Sequence, residues 1–181
     1  MAVDVPEATL DVVDDLAAAW RERLDGAGRW VPRENQHVTT AFLGRTWPRL
    51  VEWVRDRVAA AAGGVRPFDT GLSALGVVPS RTSARVLWVG LDERGGGWDA
   101  LAAGLRDALA PEFPADRRPY TPHLTLARFE PRVSFAEHQQ ALSEPVEAPR
   151  FRVGHVTLYR SRLMRPRPRY EPLARFSLGR G

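Results

Sequence analysis

The sequence predicts an α+β fold, because helical and strand-like segments are interspersed while several strands lie close enough to form hairpins. Four segments have helical periodicity and seven runs have strand character, in the order β-α-β-α-β-β-α-β-α-β-β. Short connections between consecutive strands favour antiparallel sheets over a doubly wound parallel sheet. The length of 181 residues fits one folding unit, either one domain or two small lobes that share a core.

The helices are predicted from apolar residues at three- and four-residue spacings. The first covers 7–24, the second runs through Leu50, Val54 and Val58, and the third runs from Trp98 to Leu109. Ser134 and Glu137 have the spacing of a capping box, which predicts a short fourth helix ending near Ser143.

The strands are predicted from short runs that are rich in β-branched and aromatic residues. These runs cover 2–5, 37–43, 68–77, 86–91, 121–127, 151–159 and 171–178. We expect each run to form one strand.

Composition excludes several kinds of chemistry. The chain has no cysteine, which rules out disulfides, thiol catalysis and cysteine-ligated metals. All 26 basic residues are arginine, so a catalytic Schiff-base lysine and a lysine-containing P-loop are excluded as well. There is neither an apolar run of about 18 residues nor a basic segment followed by a hydrophobic one, so we expect a cytoplasmic protein without a membrane span.

The C-terminal region is strongly basic. Residues 150–181 contain nine arginines and one acid, Glu171, whereas the rest of the chain has more acids than arginines. Because the guanidinium group binds phosphate with two parallel hydrogen bonds, RNA becomes a plausible partner. A solvated surface without a ligand is the simpler interpretation and is favoured by charge alone.

The clearest motif is a repeated histidine–threonine pair. Three of the four histidines are followed two positions later by threonine, where chance predicts about 0.2 such triplets: His37-Val38-Thr39, His123-Leu124-Thr125 and His155-Val156-Thr157. The first two are also followed by an alanine in the same phase and lie almost half a chain apart. This spacing indicates a weak internal duplication.

The triplets predict an acid–base site. Side chains alternate between the faces of a strand, so the His and Thr of one triplet project from the same face. Two such strands from similar halves would direct two imidazoles and two hydroxyls into one cleft, where histidines transfer protons and threonines bind phosphate oxygens. Structural strand residues are the alternative for a single triplet, and a metal site is disfavoured because no carboxylate stands at ligand spacing.

Two segments resemble the HxTx motifs of the 2H phosphoesterases, in particular the RNA 2′,3′-cyclic phosphodiesterases also called 2′-5′ RNA ligases. They are His37-Val38-Thr39-Thr40 and His123-Leu124-Thr125-Leu126, and segments across nearly the whole chain are similar as well: Val3 to Pro6, Arg85 to Leu91, Val156 to Ser161 and Tyr170 to Leu178. The resemblance implies two pseudo-symmetric lobes, with mainly antiparallel sheets flanked by helices and an active cleft between them, in a single bilobal domain over 1–181.

The resemblance also implies an activity, which is metal- and cofactor-independent hydrolysis of an RNA or nucleotide 2′,3′-cyclic phosphate to a 2′-phosphate. It makes His37 the proton donor and His123 the proton acceptor, an order that the sequence leaves open because the motifs are nearly symmetric. Thr39 and Thr125 would bind the non-bridging phosphate oxygens. The expected partners are RNA ends or nucleotides with a cyclic phosphate, and the protein is expected to be a monomer.

Three alternatives stay open at this point. The chain could be a non-catalytic RNA-binding module, a 2H enzyme acting on another cyclic phosphodiester, or a 2′-5′ RNA ligase. Turnover of a cyclic nucleotide distinguishes the first from the other two. The motifs themselves indicate the type of reaction, but they do not identify the groups attached to the phosphate.

Further residues near the motifs carry separate expectations. Family resemblance suggests that Arg128 contacts the substrate, but strict alternation places it on the opposite face from His123 unless the strand ends or bulges between them. His155-Val156-Thr157 is predicted to be structural, because a duplicated site has places for two motifs.

Trp30, Phe42 and Tyr120 flank the motifs and are expected in the core or cleft wall, with base stacking as the alternative. Thr40 replaces a commoner aliphatic residue and is expected to affect packing only. The family's first strand is usually longer than this sequence allows, which predicts a shortened edge strand at 2–5.

Overall fold

The computed structural model describes residues 1–92, 94–114, 118–162, 164 and 167–179. Within these residues the chain forms four α-helices and ten strands. The helices are α1 (Glu7–Arg23), α2 (Val51–Gly63), α3 (Gly97–Leu109) and α4 (Gln139–Ser143). The strands are β1 (Ala2–Val3), β2 (Arg29–Trp30), β3 (Val38–Thr39), β4 (Phe68–Thr70), β5 (Leu72–Val78), β6 (Ala84–Leu91), β7 (His123–Val133), β8 (Phe151–Val153), β9 (His155–Arg162) and β10 (Arg169–Ser177).

The described strands form two four-stranded sheets and one small ribbon. The first sheet has the order β10-β9-β1-β3, the second has the order β2-β7-β6-β5, and β4 pairs with β8. Every pairing is antiparallel. The predicted α+β class with antiparallel sheets is therefore confirmed. The first His-x-Thr segment lies on β3 and the third on β9, both in the first sheet, whereas the second lies on β7 in the second sheet.

Two predicted strands are each two strands in the structure. The run 68–77 is interrupted at Gly71, and the run 151–159 is interrupted at Gly154. In both cases the second part joins a large sheet, whereas the first parts pair with each other as β4 and β8. The hydroxyl of Thr70 fixes the end of β4. It accepts a hydrogen bond from the buried Trp98 indole at 3.0 Å and donates one to the Asp92 carbonyl at 3.1 Å.

Other strand boundaries differ from the predictions as well. The run 37–43 contributes only Val38–Thr39, because its partner β1 is two residues long and the ladder ends with it. β1 is short, as expected, but lies between β9 and β3 instead of at an edge. The sequence pattern missed β2, which is too short to show alternation, and it ended β7 six residues early.

The helices cover the sheets with their apolar faces. The long helices α1, α2 and α3 form where predicted, and they bury residues that include Leu10, Val13, Trp20, Val54, Val58, Trp98, Leu101 and Leu105. α2 packs against β9 and β10, α3 packs against α2, and α1 contacts β7. Buried residues from both large sheets belong to one core cluster. In the part of the chain that the structure describes, no helix has the length and apolar character needed to cross a membrane.

The fourth helix begins differently from the prediction. A 3₁₀ turn at Ala136–His138 precedes α4, and the hydroxyl of Ser134 accepts a hydrogen bond from the Ala136 amide at 3.3 Å. The capping box proposed for Ser134 and Glu137 is therefore wrong. The helix itself still ends at Ser143, as expected.

Candidate active site

The two His-x-Thr segments come together between the large sheets. β3, the edge strand of the first sheet, contacts β7 of the second sheet. The hydroxyl of Tyr120, just before the second motif, donates a hydrogen bond to the Thr39 carbonyl at 3.0 Å. The fold thus joins two segments that lie more than 80 residues apart in sequence.

Alternation gives both motifs the predicted arrangement. Val38 and Leu124, the middle residues of the triplets, are completely buried in the core. The histidine and the threonine of each of these two triplets, on either side of that residue, are half-buried or exposed. Each strand therefore inserts one apolar side chain into the core and presents its histidine and threonine on the opposite face.

The ring of His123 is held by a backbone carbonyl. Its Nδ1 atom lies 2.7 Å from the Thr121 oxygen, and the ring packs against Trp88 with 5.5 Å between centroids. A carbonyl oxygen only accepts hydrogen bonds, so Nδ1 carries the proton. In the neutral ring this leaves the lone pair on Nε2, where a substrate proton can be accepted.

The ring of His37 lies against two tyrosines. Tyr159 stacks on it at a centroid distance of 5.9 Å and an interplanar angle of 20°, and Tyr170 contacts it edge-on at 4.7 Å. Burial, together with the nearby amino group of Met1, lowers the pKa of His37 to about 4, although Asp4 acts in the opposite direction. In the unliganded protein His37 is therefore neutral at physiological pH.

Asp4 organises the residues behind His37, and the sequence analysis did not identify it. Its carboxylate accepts hydrogen bonds from Thr157 at 2.9 Å, from Arg175 at 3.1 Å and from Tyr159. Nε2 of His155 lies 3.2 Å from the same carboxylate. The third His-x-Thr triplet thus directs both polar side chains at Asp4. Strand alternation already places Tyr159 on the face of His155 and Thr157, but no sequence signal marks their common acceptor.

A β-bulge decides the position of Arg128. Leu87 pairs with Ala127 and Trp88 pairs with Thr125, so β7 has one extra residue between these two pairs. Consecutive residues Leu126 and Ala127 are both buried, and the alternation resumes in the opposite phase. The exposed Arg128 consequently shares a face with the Thr125 side chain, as it would not in a regular strand.

The remaining residues singled out from the sequence fall in different environments. Trp30 is buried in the core, which confirms one of its two expected positions. Phe42 is 83% exposed, so its placement in the core is wrong, although it lines a surface cavity. Thr40 is buried, with its hydroxyl unpartnered among the described residues. The structure describes no cluster of three or more histidines and acids that could bind a metal ion.

Two antiparallel sheets that each contribute one His-x-Thr strand to a common site are the architecture of the 2H phosphoesterases. A model of the 2′-5′ RNA ligase superfamily matches residues 7–163, and the chain belongs to this family. A crystal structure from Thermus thermophilus superposes with a TM-score of 0.82 at 26% identity, covering 98% of this chain and 95% of that one. Escherichia coli LigT complexed with 3′-AMP gives a TM-score of 0.77 at 29% identity, with the same coverage.

Curated relatives are named RNA 2′,3′-cyclic phosphodiesterase. The protein from Escherichia coli K12 is 32% identical over 177 residues, which cover 91% of this chain and 93% of that protein. The protein from Geobacillus stearothermophilus is 35% identical over 153 residues, which cover 82% of this chain. The match spans 47% of the Geobacillus protein, about half of its length.

Proposed function

We propose that this protein is a phosphodiesterase that opens the 2′,3′-cyclic phosphate of an RNA end or nucleotide to a 2′-phosphate, without a metal ion. The observation that carries the proposal is the pair of His-x-Thr strands that meet between the sheets. Family membership and the names of the relatives agree with it. Residues 1–181 act as one bilobal domain in this proposal, since each sheet supplies half of the site.

The reaction needs one proton acceptor and one proton donor. Nε2 of His123 removes a proton from water, and the water oxygen attacks phosphorus. The bond between phosphorus and the 3′ oxygen breaks, and His37 donates a proton to that oxygen. The products are a 2′-phosphomonoester and a free 3′ hydroxyl. The hydrogen bond from His123 to Thr121 supports the acceptor role, because it keeps the Nε2 lone pair available in the neutral ring.

The environment of His37 suits a proton donor once substrate is bound. Burial lowers its pKa to about 4, which makes the protonated ring a stronger acid than a free imidazolium. The negative charge of a bound phosphate raises that pKa, so that the ring takes up from solvent the proton that it transfers. Thr39 and Thr125 donate hydrogen bonds to the non-bridging oxygens, and Arg128 compensates the charge that develops on them.

Turnover of 2′,3′-cyclic nucleotides in excess chelator tests the proposal, with the position of the product phosphate determined by NMR. We expect 2′-phosphates and full activity under chelation. His37→Ala and His123→Ala should each reduce kcat at least about a hundredfold. Near wild-type activity of either variant, correctly folded by circular dichroism, contradicts the two-histidine mechanism. Loss of activity under chelation that a divalent ion restores contradicts metal independence.

A substrate with sulfur in place of the 3′ bridging oxygen determines the order of the histidines. A thiolate leaves without protonation, so a variant that lacks only the proton donor regains activity on this substrate. We expect rescue of His37→Ala and no rescue of His123→Ala. The opposite pattern reverses the two roles.

A further inference from the structure

The segment that follows the first motif presents two exposed aromatic side chains. Between β3 and α2, the residues 41–47 form what we call the 41–47 loop. Its Phe42 is 83% exposed and its Trp47 is 61% exposed. Among the described residues, the large apolar side chains that are exposed are these two aromatic ones together with Val78 and Met164.

A cavity of about 980 Å³ lies between this loop, the beginning of α2 and the strands β9 and β10. Most of its walls are apolar: Met1, Ala41, Phe42, Leu43, Val51, Val54, Leu158 and Leu173. Tyr159 also lines it, and the same tyrosine ring stacks on His37. The cavity and the candidate active site therefore share Tyr159, and the 41–47 loop that lines the cavity follows directly after the first motif.

The rim of the cavity is basic. Arg45 and Arg160 line it together with one acid, Glu52, which lies 3.5 Å from Arg55 outside the lining. The guanidinium of Arg45 lies over the Trp47 ring at 5.8 Å, and no carboxylate that the structure describes is within ion-pair distance of it. Arg160 is 4.0 Å from Glu171, but Arg162 binds that same carboxylate at 3.0 Å. Positive charge is thus in excess at the rim.

This combination fits single-stranded RNA. Proteins that bind single strands stack bases on exposed aromatic rings and follow the backbone with arginine and lysine. A cyclic phosphate occurs only at a 3′ end, so every other nucleotide of an RNA substrate lies on the 5′ side of the reacting one. Those nucleotides must lie beside the active site, and the cavity is next to it because Tyr159 lines the cavity and stacks on His37.

We propose that the 41–47 loop and its cavity bind the nucleotides on the 5′ side of the cyclic phosphate. Phe42 and Trp47 stack on the bases, and Arg45 and Arg160 neutralise the backbone phosphates. The proposal rests on the proposed phosphodiesterase activity and adds a substrate preference to it. An oligonucleotide with a cyclic end is a better substrate than a cyclic mononucleotide, which reaches the histidines only.

The test compares kcat/KM for a trinucleotide and for a mononucleotide, each ending in a 2′,3′-cyclic phosphate. In the wild type the trinucleotide is the better substrate. The double variant Phe42→Ala, Trp47→Ala should lower the ratio of the two kcat/KM values at least about tenfold, since the loss of a single base–aromatic stack already has that effect. Val78→Ala, which removes an exposed apolar side chain from β5, should leave the ratio unchanged.

A charge variant provides a second measurement. Arg45→Gln should lower the ratio and weaken the salt dependence of KM for the trinucleotide, since one phosphate contact is lost. Arg21→Gln, an exposed arginine on α1, is the matched control. If the wild type acts equally on both substrates, or if the double variant leaves the ratio unchanged, the proposed subsite is contradicted. The proposed phosphodiesterase activity is not affected by that result. If the wild type acts on neither substrate, the proposed function itself fails.

Discussion

Replacement of Asp4 by Asn tests the polar network behind His37, because it preserves shape while removing a charge and one acceptor atom. The carboxylate receives hydrogen bonds from Thr157, Tyr159 and Arg175, and its side chain is only 27% exposed. A hydrogen bond to a charged group contributes about 1.5–3 kcal/mol. The Asn side chain retains one acceptor oxygen and turns an NH₂ group toward the remaining donors. We therefore expect the free energy of unfolding to fall by about 2 kcal/mol at neutral pH.

The loss of stability should depend on pH. Burial raises the pKa of Asp4, but hydrogen bonds from Tyr159, Thr157 and His155, with the charge of Arg175, outweigh burial and lower that pKa below its usual value. A carboxyl group with a lowered pKa in the folded state stabilises the protein above its unfolded-state pKa of about 3.9. That stabilisation disappears as the pH falls through the folded-state pKa. The difference in the free energy of unfolding between wild type and variant is therefore largest at neutral pH and decreases below about pH 4.

Urea unfolding followed by tryptophan fluorescence measures this difference, at neutral pH and at about pH 3. Asp15→Asn, which changes an exposed acid on α1, is the control and should stay within about 0.5 kcal/mol of wild type. A destabilisation by Asp4→Asn of less than about 0.5 kcal/mol at neutral pH refutes the reasoning. So does a destabilisation that is the same at both pH values.

The same substitution should alter catalysis. The negative charge of Asp4 raises the pKa of His37, against burial and the amino group of Met1, while the rings of Tyr159 and Tyr170 pack on the imidazole. Without that charge the pKa of His37 falls further below about 4. As the proposed proton donor His37 must be protonated, so the smaller protonated fraction lowers kcat/KM at neutral pH. An unchanged kcat/KM at neutral pH means that Asp4 does not act on His37.

The remaining predictions concern three separate residues. Arg128→Ala should lower kcat/KM for cyclic nucleotides at least about tenfold, and Arg128→Lys should restore only part of it, because an ammonium group cannot bind phosphate with two parallel hydrogen bonds. His155→Ala should keep the turnover rate within a few-fold of wild type at equal folded fraction; inactivity comparable to His37→Ala contradicts this. Thr70→Val removes the acceptor of the buried Trp98 indole and should cost about 1–3 kcal/mol in urea unfolding, whereas Thr70→Ser should cost less.

Much of the candidate site could be predicted because its signal is local. In a strand, a histidine and a threonine two positions apart share a face whatever the rest of the fold does. The duplication then indicated that two such strands work together, and the contact between β3 and β7 agrees with this. The long helices were predictable for the same reason, since Leu10, Val13 and Trp20 form one apolar stripe within α1 itself.

Features that depend on partners distant in sequence could not be predicted. The bulge in β7 is a property of its register with β6, and nothing in the sequence around Leu126 marks it. The split of 68–77 at Gly71 follows from the hydrogen bonds of Thr70 to Asp92 and Trp98, which lie on later elements. Asp4 was missed because its importance comes from donors more than 150 residues away.

The register of the first sheet explains why a third triplet with the same spelling takes a different role. β1 pairs Ala2 with Thr39 on one side and with Thr157 on the other. Continued by two residues, these registers place Asp4 between His37 and His155 in one row on one face. Neighbouring strands are about 4.8 Å apart, so His155 lies two strands farther from β7 than His37 does. Its imidazole already contacts the Asp4 carboxylate, whose charge repels a phosphate. We therefore expect the same three-residue pattern to bind phosphate on the strands that face the other large sheet, whereas on β9 its side chains contact Asp4 of the neighbouring β1.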